Sequence, residues 1–311
     1  MNRCPITYEP CGEEKYSVRG LSLLSPRLKV LHDFPYNRSE QIREAIASAS
    51  KMSIQGVQPK LSTKLDVANG TFSIVDQGGT YIIKPQNDSY QELPENEDLT
   101  MRLASMVRIE IPIHGMIYCK DGSRSYFIKR FDRLTKNRKV AIEDFAQLSG
   151  KTRETKYSST MEKVAATLEE FCTFPLIEKQ KLFKITLFNF LCGNEDMHLK
   201  NFSLIRRSGK VELSPAYDLL NTTIAMPNPQ EEMALTLMGR KSKFKRENLV
   251  DYYGLERLGL AKIIVEKTLG EIEVMKDEWQ KLIDISFLSE DMKKKYQTLL
   301  VERWDRLFFK K

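Results

Sequence analysis

Asp196 and Asn201 stand five positions apart in LCGNEDMHLKNFSLI (residues 191–205), with His198 and Lys200 between them. Transfer of a phosphoryl group needs a carboxylate to orient a hydroxyl nucleophile, an amide oxygen to hold Mg²⁺ and a cation to offset the migrating charge. One short turn here supplies all three. Mg²⁺ on a nucleotide takes one or two carboxylates besides phosphate oxygens, and Asp218 in LSPAYDLLNTT offers a second acid. Lys84 ends the β-branched run TYIIKP, and SIQGVQPK (residues 53–60) is a glycine-bearing turn upstream of it. A turn entering a hairpin can lay backbone N–H groups over phosphates. Each feature also has a plainer reading. Asn and Asp abound in turns, Asp218 could cap a helix before Leu219, and Lys84 could snorkel to the surface.

The flanking sequence says how such residues would be positioned. The apolar run KITLFNFLC precedes the loop, and EKQKLFKITLFNFLC is apolar on most helical faces, as the buried spine of a helical unit would be. After the loop, Leu204 and Ile205, a Ser208-Gly209 turn, then Val211 and Leu213 predict a hairpin with Asp218 at its exit, near Asn201. Upstream, Leu61, Thr63, Leu65 and Val67 alternate into Asn69-Gly70, a strong hairpin signal, and Phe72, Ile74 and Val75 follow. A Lys pointing inward from a strand is costly unless paired. Glu97, in PENEDLTMRLASMV, is the natural partner for Lys84, with Glu92, Glu95 and Asp98 as competitors. A second hairpin, 113–119 and 125–131 around Asp121-Gly122, runs into Lys129, Arg130 and Phe131, where an adenine would meet main-chain groups. Glycine turn, strand Lys, helix Glu, linker strand, Asp loop and metal Asp follow in a kinase-like order.

The expected fold is α+β, bilobal and protein-kinase-like. Residues 1–132 form a small antiparallel sheet with one helix, and residues 133–311 a larger helical lobe that includes MEKVAATLEEF, ERLGLAKIIVEKTLGEI and MKKKYQTLLVERWDRL. The stretch 150–160 (GKTRETKYSST) reads as an ordinary connector or, from its hydroxyls, as a substrate-contact or activation segment. A net charge of +7 favours acidic partners such as ATP, while no recognition-helix or finger motif suggests direct DNA reading. Five widely spaced Cys (4, 11, 119, 172 and 192) fit reduced thiols and a cytoplasmic location; Cys4 and Cys11 could be half of a zinc site. No membrane span or signal-peptide apolar region is evident.

SIQGVQPK, IIKP, IKRFDR, EDFAQLSG, GNEDMHLKNFS and SPAYDLL together resemble the HipA serine/threonine kinases of bacterial toxin–antitoxin systems. The resemblance implies ATP and Mg²⁺ as cofactors and Asp196 as catalytic base. It implies Asn201 and Asp218 as metal ligands, and Lys84 on the ATP phosphates. Gln55, Gly56, Val57, Gln58, Pro59 and Lys60 would cover the nucleotide, and Lys129, Arg130 and Phe131 would meet adenine. His198 and Lys200 would lie beside the phosphates, and Tyr217, next to the metal Asp, would also be cofactor-binding. Ser53 would be an autophosphorylation site, its added negative charge expelling the loop. Lys129 stands where the family often has an acidic residue. The early position of Ser53 matches the short HipT type, which lacks the N-terminal subdomain. That type implies a small partner resembling the subdomain, a helix-turn-helix antitoxin, DNA contact only through that antitoxin, and an aminoacyl-tRNA synthetase (tryptophanyl or glutamyl) as substrate. The alternatives are a small-molecule phosphotransferase of the same fold, such as an aminoglycoside kinase, and a nucleotide-binding scaffold in an antitoxin complex.

Overall fold

A computed structural model describes residues 2–48, 58–135 and 138–309. The chain divides into two compact units. The first comprises Met1–Asp98, Pro112–Lys139 and Ile285–Phe287, and the second Leu99–Ile111, Val140–Asp284 and Leu288–Lys311.

The first unit is built on a five-stranded antiparallel sheet in the order Thr71–Ile74, Leu61–Asp66, Tyr81–Lys84, Arg124–Lys129, His114–Tyr118. Both expected hairpins are present, the first turning at Gly70 with φ 59 and the second at Gly122 with φ 79. Because successive strand residues face opposite ways, Tyr81 and Ile83 join Leu61, Phe72 and Phe127 in an apolar cluster. Their neighbour Lys84 is left on the other face, opposite Tyr126. The helix Leu93–Met106 begins in this unit.

The second unit is mainly helical. Met161–Phe171 starts at Thr160, whose hydroxyl accepts from the Lys163 N–H. Pro175–Cys192 carries Pro at its first turn, where a missing N–H costs nothing. Leu182, Phe183, Leu187, Phe188, Phe190 and Leu191 on this helix are all buried, as a spine should be. Phe188 meets Trp279 edge-on at 5.6 Å, and Trp279 meets Trp304 at 5.7 Å. The helix Glu290–Phe308 contributes Tyr296 and Trp304 to the same core.

Three features depart from the sequence reading. Residues 1–132 hold not one helix but Val18–Leu24 and Arg38–Ser48 besides Leu93–Met106. ERLGLAKIIVEKTLGEI is not one helix: a π-helical stretch Glu247–Arg257 ends before Gly259, and a new helix spans Lys262–Glu273. Gly259 sits at φ 65, and Leu258 and Leu260 on either side are buried, so anchoring these two side chains outweighs helical continuity there. The hairpin Ser203–Arg207 and Lys210–Leu213 also gains a third strand, Ile142–Asp144, paired with Ser203–Arg207. That segment is too short to show a period of its own.

All five cysteines are free, and Cys192 is a fully buried core residue whose thiol is pushed well up by burial. Among the described residues no helix is long and apolar enough to cross a membrane.

Replacing Phe188 with Ala empties the ring site beside Trp279. It is expected to cost about 3–5 kcal/mol, seen as a lower urea midpoint at unchanged slope. A loss below about 1 kcal/mol would mean that the aromatic stack contributes little to the helical unit.

Candidate active site

The loop that carries Asp196 leaves the spine helix through Gly193, which caps it at φ 67. A side chain there would strike Leu299, Asn221 and Thr223, so glycine is needed for both conformation and space. Asn194 donates to Asn189 Oδ1 at 3.1 Å and accepts the Asp196 N–H at 3.2 Å. A short 3₁₀ turn, Leu199–Asn201, then feeds the strand Ser203–Arg207. Asn201 Nδ2 donates to the Asp196 carbonyl at 2.8 Å. That bond assigns the amide's two ends, leaving Oδ1 as its acceptor end.

The Asp218 segment is stitched across this loop at both ends. The Tyr217 hydroxyl donates to the Lys200 carbonyl at 3.0 Å and lies 2.5 Å from Ser203 Oγ. Farther on, Thr222 Oγ1 donates to the Gly193 carbonyl at 3.1 Å and accepts the Glu195 N–H at 2.8 Å. Thr223 N–H and Oγ1 also donate to the Gly193 carbonyl. Asp218 itself is at φ 54, a left-handed backbone that Asp tolerates better than most L-residues. It does not cap the following helix, Thr222–Ala225, whose cap is Asn221.

His198 is buried, and its Nε2 lies 2.7 Å from Lys156 Nζ. An ammonium can only donate, so this nitrogen is the acceptor and the ring proton sits on Nδ1. Burial, helped by the Lys156 charge and opposed by Asp196, holds the imidazole below its ordinary pKa. Lys200 Nζ meets Asp144 Oδ2 at 3.3 Å. Asp196 Oδ1 accepts a hydrogen bond from the Tyr157 hydroxyl at 2.5 Å.

In the first unit, Lys84 Nζ lies 2.5 Å from Glu97 Oε1, and each side chain is 2% exposed. The Lys84 ammonium also sits 5.5 Å from the centre of the Tyr126 ring. Two of the competing acids have other partners: Glu95 pairs with Arg124, and Asp98 meets the His114 ring. The N–H groups of Lys129 and Arg130 donate to the Ile113 and Thr80 carbonyls, so both are committed within the unit. A base meeting this strand's main chain would have to use carbonyl oxygens, or groups from Phe131 onward. Asp132 follows, flanked by Arg130 at 2.8 Å and Arg133 at 2.7 Å. Burial pushes its carboxyl up, but the two guanidiniums hold it below the usual range.

Ser53, Gln55, Gly56 and Val57 lie outside the described residues. Gln58, Pro59 and Lys60 are half-buried, leading into the strand Leu61–Asp66. The second unit thus brings together Asp196, His198, Lys200, Asn201 and Tyr217, with Asp218 following on the chain, and the first pairs Lys84 with Glu97. The sequence carries no signal for Lys156 and Tyr157: the hydroxyl content of their segment says nothing of which side chain meets Asp196.

Solved structures share this architecture. A chain of the HipA–HipB–operator DNA complex of Shewanella oneidensis aligns over 90% of this chain and 72% of its own, with a TM-score of 0.71 at 22% identity. The Helicobacter pylori proinflammatory kinase CtkA aligns over 73% of this chain and 86% of its own, with a TM-score of 0.52 at 16% identity, so the fold is α+β and kinase-like. The HipA-like C-terminal domain family matches residues 52–279, and the chain belongs to that family. A Haemophilus influenzae protein named as a presumed kinase is 28% identical over 93% of both chains. The serine/threonine-protein kinase toxin HipA of Shewanella oneidensis is 28% identical over 55% of this chain, which spans 43% of that relative's length.

Lys84→Met removes the ammonium that the buried Glu97 carboxylate faces and is expected to cost about 3–5 kcal/mol of stability. Adding Glu97→Leu should restore most of it in thermal or urea denaturation. A double variant as unstable as the single one would show that the charge pair is not what the site depends on.

Proposed function

We propose that the chain is an ATP- and Mg²⁺-dependent protein serine/threonine kinase of the toxin type. The observation that carries this reading is the Asn201 amide, oriented by its bond to the Asp196 carbonyl at 2.8 Å. One turn thereby presents a carboxylate for a hydroxyl and an amide oxygen for a metal. The residues present fit Mg²⁺: Asn201 and Asp218 supply one amide and one carboxylate oxygen, and phosphate oxygens would complete the shell. The bound ion supplies charge neutralisation on the phosphates.

Asp196 is the base, accepting the proton of the serine or threonine hydroxyl as it attacks the γ-phosphorus and the bond to ADP breaks. Most of the acceleration is positioning rather than covalent chemistry. Lys84, held by Glu97, is assigned the ATP phosphates. Gln55, Gly56, Val57, Gln58, Pro59 and Lys60 are assigned to cover the nucleotide, and Lys129, Arg130 and Phe131 to border the adenine. Neutral His198 adds no charge beside the phosphates, while Lys200 and Tyr217 set the loop's position. Phosphorylation of Ser53 would switch the loop off by adding charge.

The name of the Shewanella relative and the motif set support the toxin reading. An aminoacyl-tRNA synthetase, tryptophanyl or glutamyl, is the proposed target. Restraint is assigned to a helix-turn-helix antitoxin that contacts DNA and to a small HipA-N-like protein, in the cytoplasm. The related solved complex contains HipB and operator DNA.

Asp196→Asn is expected to lower phosphoryl transfer from labelled ATP to lysate proteins by about 10³-fold, with ATP binding little changed. Equal labelling by the wild type and this variant would sink the mechanism.

A further inference from the structure

The segment 150–160 belongs to the helical unit and folds onto the Asp196 loop through four contacts. Leu199 N–H donates to the Lys156 carbonyl at 3.2 Å. Lys156 Nζ meets His198 Nε2 at 2.7 Å. The Tyr157 ring stands edge-on to the His198 ring, 5.0 Å between centres and 81° apart. Finally, the Tyr157 hydroxyl donates to Asp196 Oδ1 at 2.5 Å.

A catalytic base must come within hydrogen-bond reach of the proton it takes, about 2.6–3.2 Å between heavy atoms. A hydroxyl donating to the Asp196 carboxylate therefore holds the place of a phosphoacceptor hydroxyl. We propose that Tyr157 occupies the acceptor-hydroxyl subsite in cis, making the segment 150–160 a built-in competitor that a substrate serine or threonine has to displace. This rests on the phosphotransfer reading of Asp196.

Three observations shape the proposal. Ring packing on His198 and the Lys156 contacts hold the segment without the phenol oxygen, so the hydroxyl is the part that addresses Asp196. A phenol is protonated at neutral pH even at its ordinary pKa of about 10, and burial and then the Asp196 contact raise it further, so the group is a donor as an acceptor alcohol would be. Tyr157 is also 42% exposed, so its displacement requires no opening of the core. Occupation of this kind would keep water and chance hydroxyls from the base until a docked protein supplies its own.

The test uses the full chain with Mg²⁺ and ATP, and two acceptors: water, read as phosphate release, and dephosphorylated casein, read as label transfer. Tyr157→Phe keeps the ring and removes only the hydroxyl. It is expected to raise phosphate release and lower the KM for casein by about tenfold, the effect of one charge-assisted hydrogen bond, with the KM for ATP unchanged. Lys156→Met, which loosens the segment and leaves the hydroxyl, should move both readouts the same way by a smaller factor; it also covers the case in which Tyr157→Phe misfolds. Unchanged kinetics in both variants, or a fall in kcat at constant KM for casein, would overturn the competitor role. In the latter case Tyr157 would be positioning Asp196. If the wild type forms no ADP with either acceptor, the phosphotransfer reading itself fails and takes this proposal with it. Transfer that is lost in Asp196→Asn and unaltered in Tyr157→Phe would remove only the proposal.

Discussion

The geometry of the helical unit's site depends on one constraint, the stitching of residues 217–223 across the loop that begins at Gly193. The loop buries Met197 and Leu199, but its Asn, Asp and His side chains are polar and need hydrogen bonds to fix their directions. Here it is fixed by hydrogen bonds from a segment distant in sequence. Tyr217 holds the carbonyl of Lys200, and Thr222 and Thr223 hold the carbonyl of Gly193. These bonds place both ends of the Asp218 segment, with Asp218 between them at φ 54. The spine helix supplies the rigid base, because its last turns are fully buried and Gly193 can turn left-handed where no Cβ would fit.

The first unit solves a different problem. A buried ammonium is tolerable only beside a carboxylate, so Lys84 is placed on the sheet face away from the aromatic cluster, where Glu97 reaches it. The same helix distributes its other acids: Glu95 goes to Arg124 and Asp98 to His114. Burial raises the Glu95 pKa against the pull of Arg124, which shows how much desolvation such a cluster has to offset. With Glu95 on Arg124 and Asp98 on His114, Glu97 is the carboxylate that meets Lys84.

Much of this arrangement was legible in the residues. Alternation into Asn69-Gly70 and the Asp121-Gly122 turn gave both hairpins, because side-chain period and turn chemistry are local properties. The helix Met161–Phe171 and the Pro175–Cys192 spine followed from their apolar periodicity. The break at Gly259 was not legible, since the surrounding pattern is helical on both sides and tertiary burial of Leu258 and Leu260 decides it. The strand Ile142–Asp144 was equally silent, because a three-residue strand exists only through its partner. Tyr157 was invisible for the same reason: a hydroxyl in a polar stretch says nothing about which carboxylate it will meet.

The sequence by itself determined the chemistry available: an Asp, an Asn and a second Asp at loop spacing, a strand Lys with a helix Glu to neutralise it, and the family to which the chain belongs. Residue types and short spacings carry that information because functional groups and local periodicity are properties of the chain alone. Tertiary structure decided which of four acids meets Lys84, that Asp218 is not a helix cap, that His198 is neutral beside Lys156, and that Tyr157 sits on Asp196. These outcomes depend on desolvation and on contacts between residues far apart in sequence, whose energies exist only once the chain has folded.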